Sequence, residues 1–192
     1  MKEAAIDNDF VMHLAEIDWT LKELDEKVRL YFFGMEVCPI MHELVYTHEM
    51  EGGADFKDKT RALSFFQENI IQIKEMNSFL ETDAKKQYYE IVFKEIYRDF
   101  KGILPEGIKD ILKDWKSRAS LGETHTVTMC FVLGCDVFLS DDDDSKELAK
   151  ILKSKQAFSI RVYTRGEAME ALKKDFSKLN KHDRRALKHV PK

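Results

Sequence analysis

The segment Gly134–Lys150 reads GCDVFLSDDDDSKELAK. Within it, Cys135 to Ser140 is a compact apolar run with the length of a buried strand. Four aspartates follow at once, and Lys146 to Leu152 has the spacing of an apolar helix face. Downstream, SIRVYT (Ser159 to Thr164) repeats the strand signal, and Glu167 to Leu179 repeats the helix. Upstream, Ser120 to Gly134 reads as a helix. Strands that alternate with helices predict an α/β fold around a parallel sheet.

The amino-terminal half extends this pattern. Glu3 to Ile6 is a short apolar strand, Asp7-Asn8-Asp9 an acidic turn, and Phe10 to Ile17 a helix with Phe10, Leu14 and Ile17 on one face. Thr20 to Arg29 reads as a more polar helix and Leu30 to Phe33 as a brief strand. Pro39 suits the first turn of a helix that runs through Ile40, Leu44 and Val45 towards Met50. From Lys59 to Ile103 the pattern is helical throughout. Leu63, Phe66, Ile70, Ile73 and Asn77 form one stripe, and Tyr88, Ile91, Val92, Glu95, Ile96 and Phe100 another, with Thr82-Asp83 as break and cap between them. Pro105 opens a further short helix with Ile108, Ile111, Leu112 and Trp115. These stripes read as packing surfaces. The expected organisation is one domain over residues 1–172, a helical insertion over 52–117, and a basic extension over 173–192.

Composition narrows the function classes. The 192 residues are 44% hydrophobic with 13 Phe and 6 Tyr, enough for a sizeable core. A net charge of −4 does not suggest a chain that coats nucleic acid over its whole surface. No apolar run has the roughly 18 residues of a membrane span, and MKEAAIDND turns acidic too early for a secretory signal. The three cysteines, Cys38, Cys130 and Cys135, lack metal-site spacing, which suggests a reducing, cytoplasmic compartment. The six histidines share no spacing, and no Gly-rich phosphate loop or nucleophile elbow is present.

The acids carry the chemistry. In an open parallel sheet, sites lie beyond the carboxyl ends of the strands. Asp7 and Asp9 follow the first strand, and Asp141, Asp142, Asp143 and Asp144 follow CDVFLS. If the two strands are neighbours, these carboxylates converge, and their repulsion favours protonation or a bound cation. Hard cations such as Mg²⁺ take such oxygens together with water and phosphate. Each acid also has a plainer reading. Asp7 or Asp9 would cap the following helix, and Ser120/Glu123 and Asp144/Glu147 have capping-box spacing. Glu123 is the most informative, because it lines up with Val127, Cys130 and Gly134 on an apolar, core-facing stripe. Glu43 is expected in mid-helix, at the flank of the Ile40/Leu44 face.

Together these features resemble the PIN-domain family. AAIDNDFVMHL (Ala4 to Leu14) looks like the family's strand, Asp turn and helix. LGETHTVTMCFVLGCDVFLSDDDDSKELAK (Leu121 to Lys150) looks like its Gly-Glu helix, Leu-Gly-x-Asp turn, strand and Thr/Ser-x-Asp motif, and FSIRVYTRGEAMEAL (Phe158 to Leu172) like its closing strand and helix. The resemblance implies a three-layer sandwich with a small central parallel sheet flanked by helices. Carried over one residue at a time, Asp7, Glu43, Glu123 and Asp142 match the family's catalytic acids. Asp144 is the auxiliary acid, which makes Asp7, Glu123, Asp142 and Asp144 the metal-holding set. The register within the four aspartates is open by one. Ser140 stands where members often place a Thr that bonds into the site. Asn8 and Asp9 depart from the usual Thr/Ser-Asn/Ser pair and add a negative charge.

The resemblance further implies a Mg²⁺- or Mn²⁺-dependent endoribonuclease. Its partners would be RNA and, as in toxin members, a cognate antitoxin protein, with a homodimer common in the family. Lys173, Lys174, Lys178, Arg184 and Arg185 would contact the phosphate backbone; alternatively they form a solubilising tail. Two other readings stay open. One is a degenerate PIN-like module that binds a protein partner through its aromatic helices. The other is a haloacid-dehalogenase-like phosphatase with Asp7 as nucleophile and Asp9 as general acid.

Overall fold

The computed structural model describes residues 1–53, 58–102, 120–154 and 159–189. The helix expected after Pro105 lies outside the described residues. In chain order the elements are β1 (Lys2–Ile6), α1 (Asn8–Ala15), α2 (Leu21–Gly34), β2 (Val37–His42) and α3 (Glu43–Val45), which runs into a π-helical turn (Tyr46–Glu51). There follow α4 (Lys59–Gln67), β3 (Gln72–Lys74), α5 (Met76–Phe79), α6 (Asp83–Lys101), α7 (Leu121–Leu133) and β4 (Val137–Leu139). The chain closes with α8 (Asp143–Ser154), β5 (Arg161–Tyr163), α9 (Arg165–Ala171) and α10 (Lys181–Lys188).

The five strands form one parallel sheet in the order β3-β2-β1-β4-β5. Side chains alternate across it and feed two cores. Ala4, Ile6, Val37, Met41, Val137 and Leu139 face one way, onto Phe10, Val28, Tyr31, Phe65, Met169 and Leu187 of α1, α2, α4, α9 and α10. Ala5, Ile40 and Phe138 face the other way, onto Phe79, Tyr89, Phe93, Leu121, Val127 and Leu148 of α5 to α8. A sheet covered on both faces has strands that are apolar throughout. The expected α/β sandwich is therefore present, with helices in both outer layers.

Several local expectations are corrected. Leu30 to Phe33 is not a strand. It continues α2, whose Thr20–Glu23 capping box starts a helix that buries Leu24, Val28 and Tyr31 at i, i+4 and i+7. Pro39 does not open a helix; it lies inside β2. Because β3 pairs only from Ile40 onward, Pro39 falls where the strand has one neighbour and its missing N–H costs little. Glu43 therefore stands at the carboxyl end of β2, at the start of α3, rather than in mid-helix. The segment expected to be purely helical contains β3, too short and polar to show a strand pattern.

In α6, Tyr89, Phe93, Ile96 and Tyr97 are buried, one step round from the expected stripe, while Tyr88 and Ile91 face solvent. That face is the one that packs on α7 and α8. The helix after β5 stops at Ala171, not Leu179. The basic extension is no tail. Asn180 and Asp183 form a capping box that starts α10, and Phe176, Leu179 and Leu187 are buried in the first core. Gly34 is required by this packing, since a Cβ there would meet the Phe176 ring at 2.4 Å.

Candidate active site at the carboxyl edge of the sheet

From β1 the chain is wound outward to β2 and β3 on one side and to β4 and β5 on the other. The crevice beyond β1 and β4 is thus the topological switch point, where ligands bind in such sheets. Ala5 pairs with Phe138 and Ile6 with Leu139, and the Asp7 N–H donates to the Leu139 carbonyl at 2.9 Å. The two acidic strand ends are therefore adjacent.

Asp7 caps α1: its Oδ1 accepts from the Asn8 N–H at 2.8 Å. Its Oδ2 accepts from Ser140 Oγ at 3.3 Å. Ser140 is a hub, because its Oγ also accepts from the Asp142 N–H at 3.1 Å and from Ser145 Oγ at 2.9 Å. Only 4% of Asp7 is exposed. Burial holds its carboxyl well above the usual carboxylate range, and the charges of Asp9, Glu123 and Glu49 push the same way. Asp9 is raised to about 6, first by burial and then by the charge of Asp141. Glu123 is raised to about 7, first by burial, with Asp142, Asp144 and Asp9 adding repulsion. Asp142 is exposed at the mouth, and its Oδ1 accepts from the Asp144 N–H at 3.0 Å.

Glu123 reaches this site because its expected capping role is not taken up. Ser120 adopts a left-handed conformation (φ 62°), makes no side-chain cap bond, and donates its Oγ to Asp144 Oδ2 at 2.5 Å. That bond, with Lys101 Nζ at 3.3 Å, lowers the Asp144 carboxyl below its ordinary value. Asp144 is thus near the site but already partnered.

The other expected acids divide. Asp141 is tied to partners of its own, although its charge still bears on Asp9. Its carboxylate accepts from the Arg165 backbone N–H at 3.0 Å, from Arg165 Nε at 3.0 Å, and lies 3.0 Å from His13 Nδ1. Burial alone would raise the Asp141 carboxyl; the His13 and Arg165 bonds override it and hold it low. The same bond raises His13. Glu43 is engaged elsewhere, with its Oε2 accepting from the Met76 N–H at 2.7 Å at the start of α5.

The acid that acts on Asp7 from this side is Glu49, carried on the π-helical turn. The turn has an i to i−5 bond, Gly52 N–H to Thr47 O at 2.9 Å. Glu49 Oε1 comes so close to α7 that a Cβ at residue 122 would lie 2.3 Å from it and push this carboxylate aside. No spacing in the sequence marks Glu49.

Beneath the site, His42, Tyr89 and His125 form a buried chain that histidine spacing did not reveal. The Leu44 N–H donates to His42 Nδ1 at 3.0 Å, so His42 Nε2 carries the proton and donates to Tyr89 Oη at 2.9 Å. Tyr89 is then left to donate to His125 Nδ1 at 2.7 Å. Burial pushes His42 down to about 3 and His125 well below its ordinary value, so both are neutral.

The basic residues lie along one flank. The Lys174 and Asp175 N–H groups donate to the Gly34 carbonyl at 3.0 and 3.1 Å, which places Lys173, Lys174 and Lys178 at the amino edge of the sheet, away from the acids. Arg184 and Arg185 are on α10, which leads back up.

The donor set of Asp7, Asp9, Glu49, Glu123 and Asp142 is all oxygen and negatively charged, the chemistry of a hard divalent cation. Among the described residues, no group of three or more His, Cys, Asp or Glu side chains is placed so that it could hold a metal ion. The fit to a cation is thus one of donor chemistry and repulsion. Comparison with protein-family models, curated proteins and solved structures finds no match to this chain.

Proposed function

We propose that the protein is a Mg²⁺- or Mn²⁺-dependent endoribonuclease of PIN-like type. The observation that supports this reading most is the convergence of Asp7, Asp9, Glu123 and Asp142 at the switch point, with Asp7, Asp9 and Glu123 held above their ordinary pKa values. Such carboxylates are destabilised as anions and gain from a cation. Asp7, Glu123 and Asp142 would hold it, with Asp9 and Glu49 beside them. A bound divalent ion would supply a low-pKa water and stabilise charge on the transferring phosphoryl group.

The chain's own residues do the rest. Ser140 orients Asp7 through its Oγ and fixes the Asp142 backbone. Ser120 and Lys101 hold Asp144 at the rim. Asp9, beside the cation rather than holding it and raised to about 6, changes protonation close to neutral pH and is suited to exchange a proton with water in the crevice.

The test is RNA cleavage with Mg²⁺, Mn²⁺ and EDTA, with Asp142→Asn beside the wild type. Metal-dependent cleavage that falls at least about 100-fold in Asp142→Asn is expected. Absence of cleavage across structured and unstructured RNAs, with no Mn²⁺ binding by calorimetry, refutes the reading.

One observation favours a second reading, a module that binds a protein partner such as an antitoxin: Tyr88 and Ile91 on α6 are 48% and 56% exposed. The phosphatase reading gains less. Asp7 is buried and biased towards protonation, a poor state for a nucleophile, and Thr164 is occupied in capping α9 with Glu167.

A further inference from the structure

The net charge of −4 gives the whole molecule no attraction for a polyanion, yet α10 concentrates cations in one place. Its rotation is fixed by what it buries. Leu187 is in the core, and Asp183 pairs with Lys27 at 2.8 Å. At 3.6 residues per turn, Lys181, Arg185 and Lys188 then lie exposed on the opposite side, with half-buried Arg184 on the flank beside Leu187. Among the described residues, Arg184 and Arg185 meet no carboxylate, whereas Glu170 holds Lys188.

The course of α10 is also fixed. It starts from the loop at the amino edge and climbs about 12 Å. It ends at the carboxyl edge, where the Arg165 guanidinium donates to the His189 carbonyl. The same guanidinium binds Asp141, the neighbour of Asp142.

Cavities follow this course. One of about 380 Å³ is lined by Lys173, Lys181, Arg184, Arg185 and Lys188, with Glu170 as the acid among them. A second, of about 550 Å³, shares Arg185 and Lys188 and reaches His189. A third, of about 260 Å³, continues from His189 and Arg165 to His13, with Glu16 and Asp18 on its wall. The cationic stretch therefore ends at His189, and His13 in the third cavity contacts Asp141, the residue before Asp142.

We propose that the outward side of α10 is the landing surface for the sugar–phosphate backbone of single-stranded RNA, which it leads to the carboxylate crevice. This rests on the nuclease reading and names the form of its substrate. A lone basic helix offers one row of cations, enough for one strand, whereas duplex RNA is held across successive grooves. A scissile phosphate must also reach the recessed Asp7, and a flexible strand bends into such a crevice where a duplex does not.

The test uses the full chain carrying Asp142→Asn and a labelled oligouridine of roughly 12 nucleotides, read by fluorescence anisotropy between about 50 and 200 mM salt. Three phosphate contacts give a log–log salt slope of about −2, at about −0.7 per contact for single strands. Arg184→Glu with Arg185→Glu is expected to weaken binding at least about 10-fold and to make the slope shallower by 1 or more. Lys85→Glu with Lys86→Glu, on the far helix α6, should leave both unchanged. Circular dichroism confirms folding in each variant.

Equal loss in both double variants, or tighter binding of a duplex of the same length, overturns the proposal. Equal binding of the matching single-stranded DNA overturns the assignment to RNA. The two readings fail separately. RNA binding through α10 without cleavage by the wild type would refute the nuclease and leave the landing surface standing. Cleavage whose kcat/KM is untouched by the α10 reversal would refute the landing surface and leave the nuclease standing.

Discussion

Asp141 and Asp142 are consecutive residues at the end of the same strand, and they live in opposite electrostatic surroundings. The Asp141 side chain is 1% exposed, as is that of Arg165, and the pair is closed by His13 and by the Arg165 backbone. Asp142 is open to solvent; both charges bear on Asp9, and that of Asp142 bears on Glu123 as well. Both lie past Leu139, the last residue of β4, where the chain turns over the Ser140 hydroxyl, and one residue's step there separates a structural ion pair from a destabilised acidic crevice. Four aspartates in a row are thus not one feature: the first fastens α9 and α10 to the sheet, the second faces the site, and the fourth is tethered by Ser120 and Lys101.

The strongest way to break this contrast is to remove the cation from the closed side. Arg165→Ala strips the guanidinium from buried Asp141 and leaves it only His13 and the backbone N–H of residue 165, so stability should fall by about 3–5 kcal/mol in urea unfolding. Asp142→Asn keeps an acceptor for the Asp144 N–H and should leave the unfolding midpoint unchanged while cleavage is lost. If both variants unfold alike, the two aspartates are not distinct in the way described.

Next in size is Leu187→Ala. Leu187 is fully buried, and its truncation should cost about 2–5 kcal/mol, showing in the same unfolding assay that α10 belongs to the core.

The pH dependence sharpens the contrast further. Asp9 and Glu123 have folded-state pKa values above their unfolded ones. Their contribution is present below the unfolded value, near 4, and is lost as pH rises through about 6 and 7. Asp141 is the reverse: its folded value is depressed, so its contribution is present above the unfolded value and lost as pH falls through the folded one. Asp9→Asn and Glu123→Gln should therefore each raise stability at pH 8 by about 1–3 kcal/mol and do nothing at pH 4. A thermal melt series across pH reads this directly. If neither variant stabilises at pH 8, the crevice carries no charge stress.

The smallest expected effect is that of Ser120→Ala. It removes one hydrogen bond to Asp144, costs about 1 kcal/mol, and should raise the Asp144 pKa in a carboxylate NMR titration. An unmoved Asp144 would mean that Lys101 alone sets it.

Much of the architecture was legible in local pattern. The strands around Ala4–Ile6, Val137–Leu139 and Arg161–Tyr163, and the helices that follow them, come from runs of apolar residues bounded by caps, which chain-local physics dictates. The misreadings cluster where local preference and tertiary context disagree. Pro39 is favoured at a helix start, but Val37–His42 is needed between β1 and β3. Leu30–Phe33 is β-prone, but the Thr20 cap and the Leu24/Val28/Tyr31 period carry the helix through it. β3 has three residues and no alternation, and exists because β2 offers it an edge.

The site divides in the same way. Asp7 and Glu123 follow from a strand end and an apolar stripe; Asp142, with its register open by one, and Ser140 come from the family resemblance, and the fold sets the Ser140 hydroxyl between Asp7 and the Asp142 N–H. Glu49, the withdrawal of Asp141 into an ion pair, the binding of Glu43 by Met76, and the His42–Tyr89–His125 chain depend on contacts between residues far apart in sequence. The extension 173–192 likewise became part of the core only through Phe176, Leu179 and Leu187. Charge and hydropathy identify which groups can bear a site. Which of them are neutralised and which remain under strain is set by what the fold brings within a few ångströms, because burial and Coulomb interactions act across space and not along the chain.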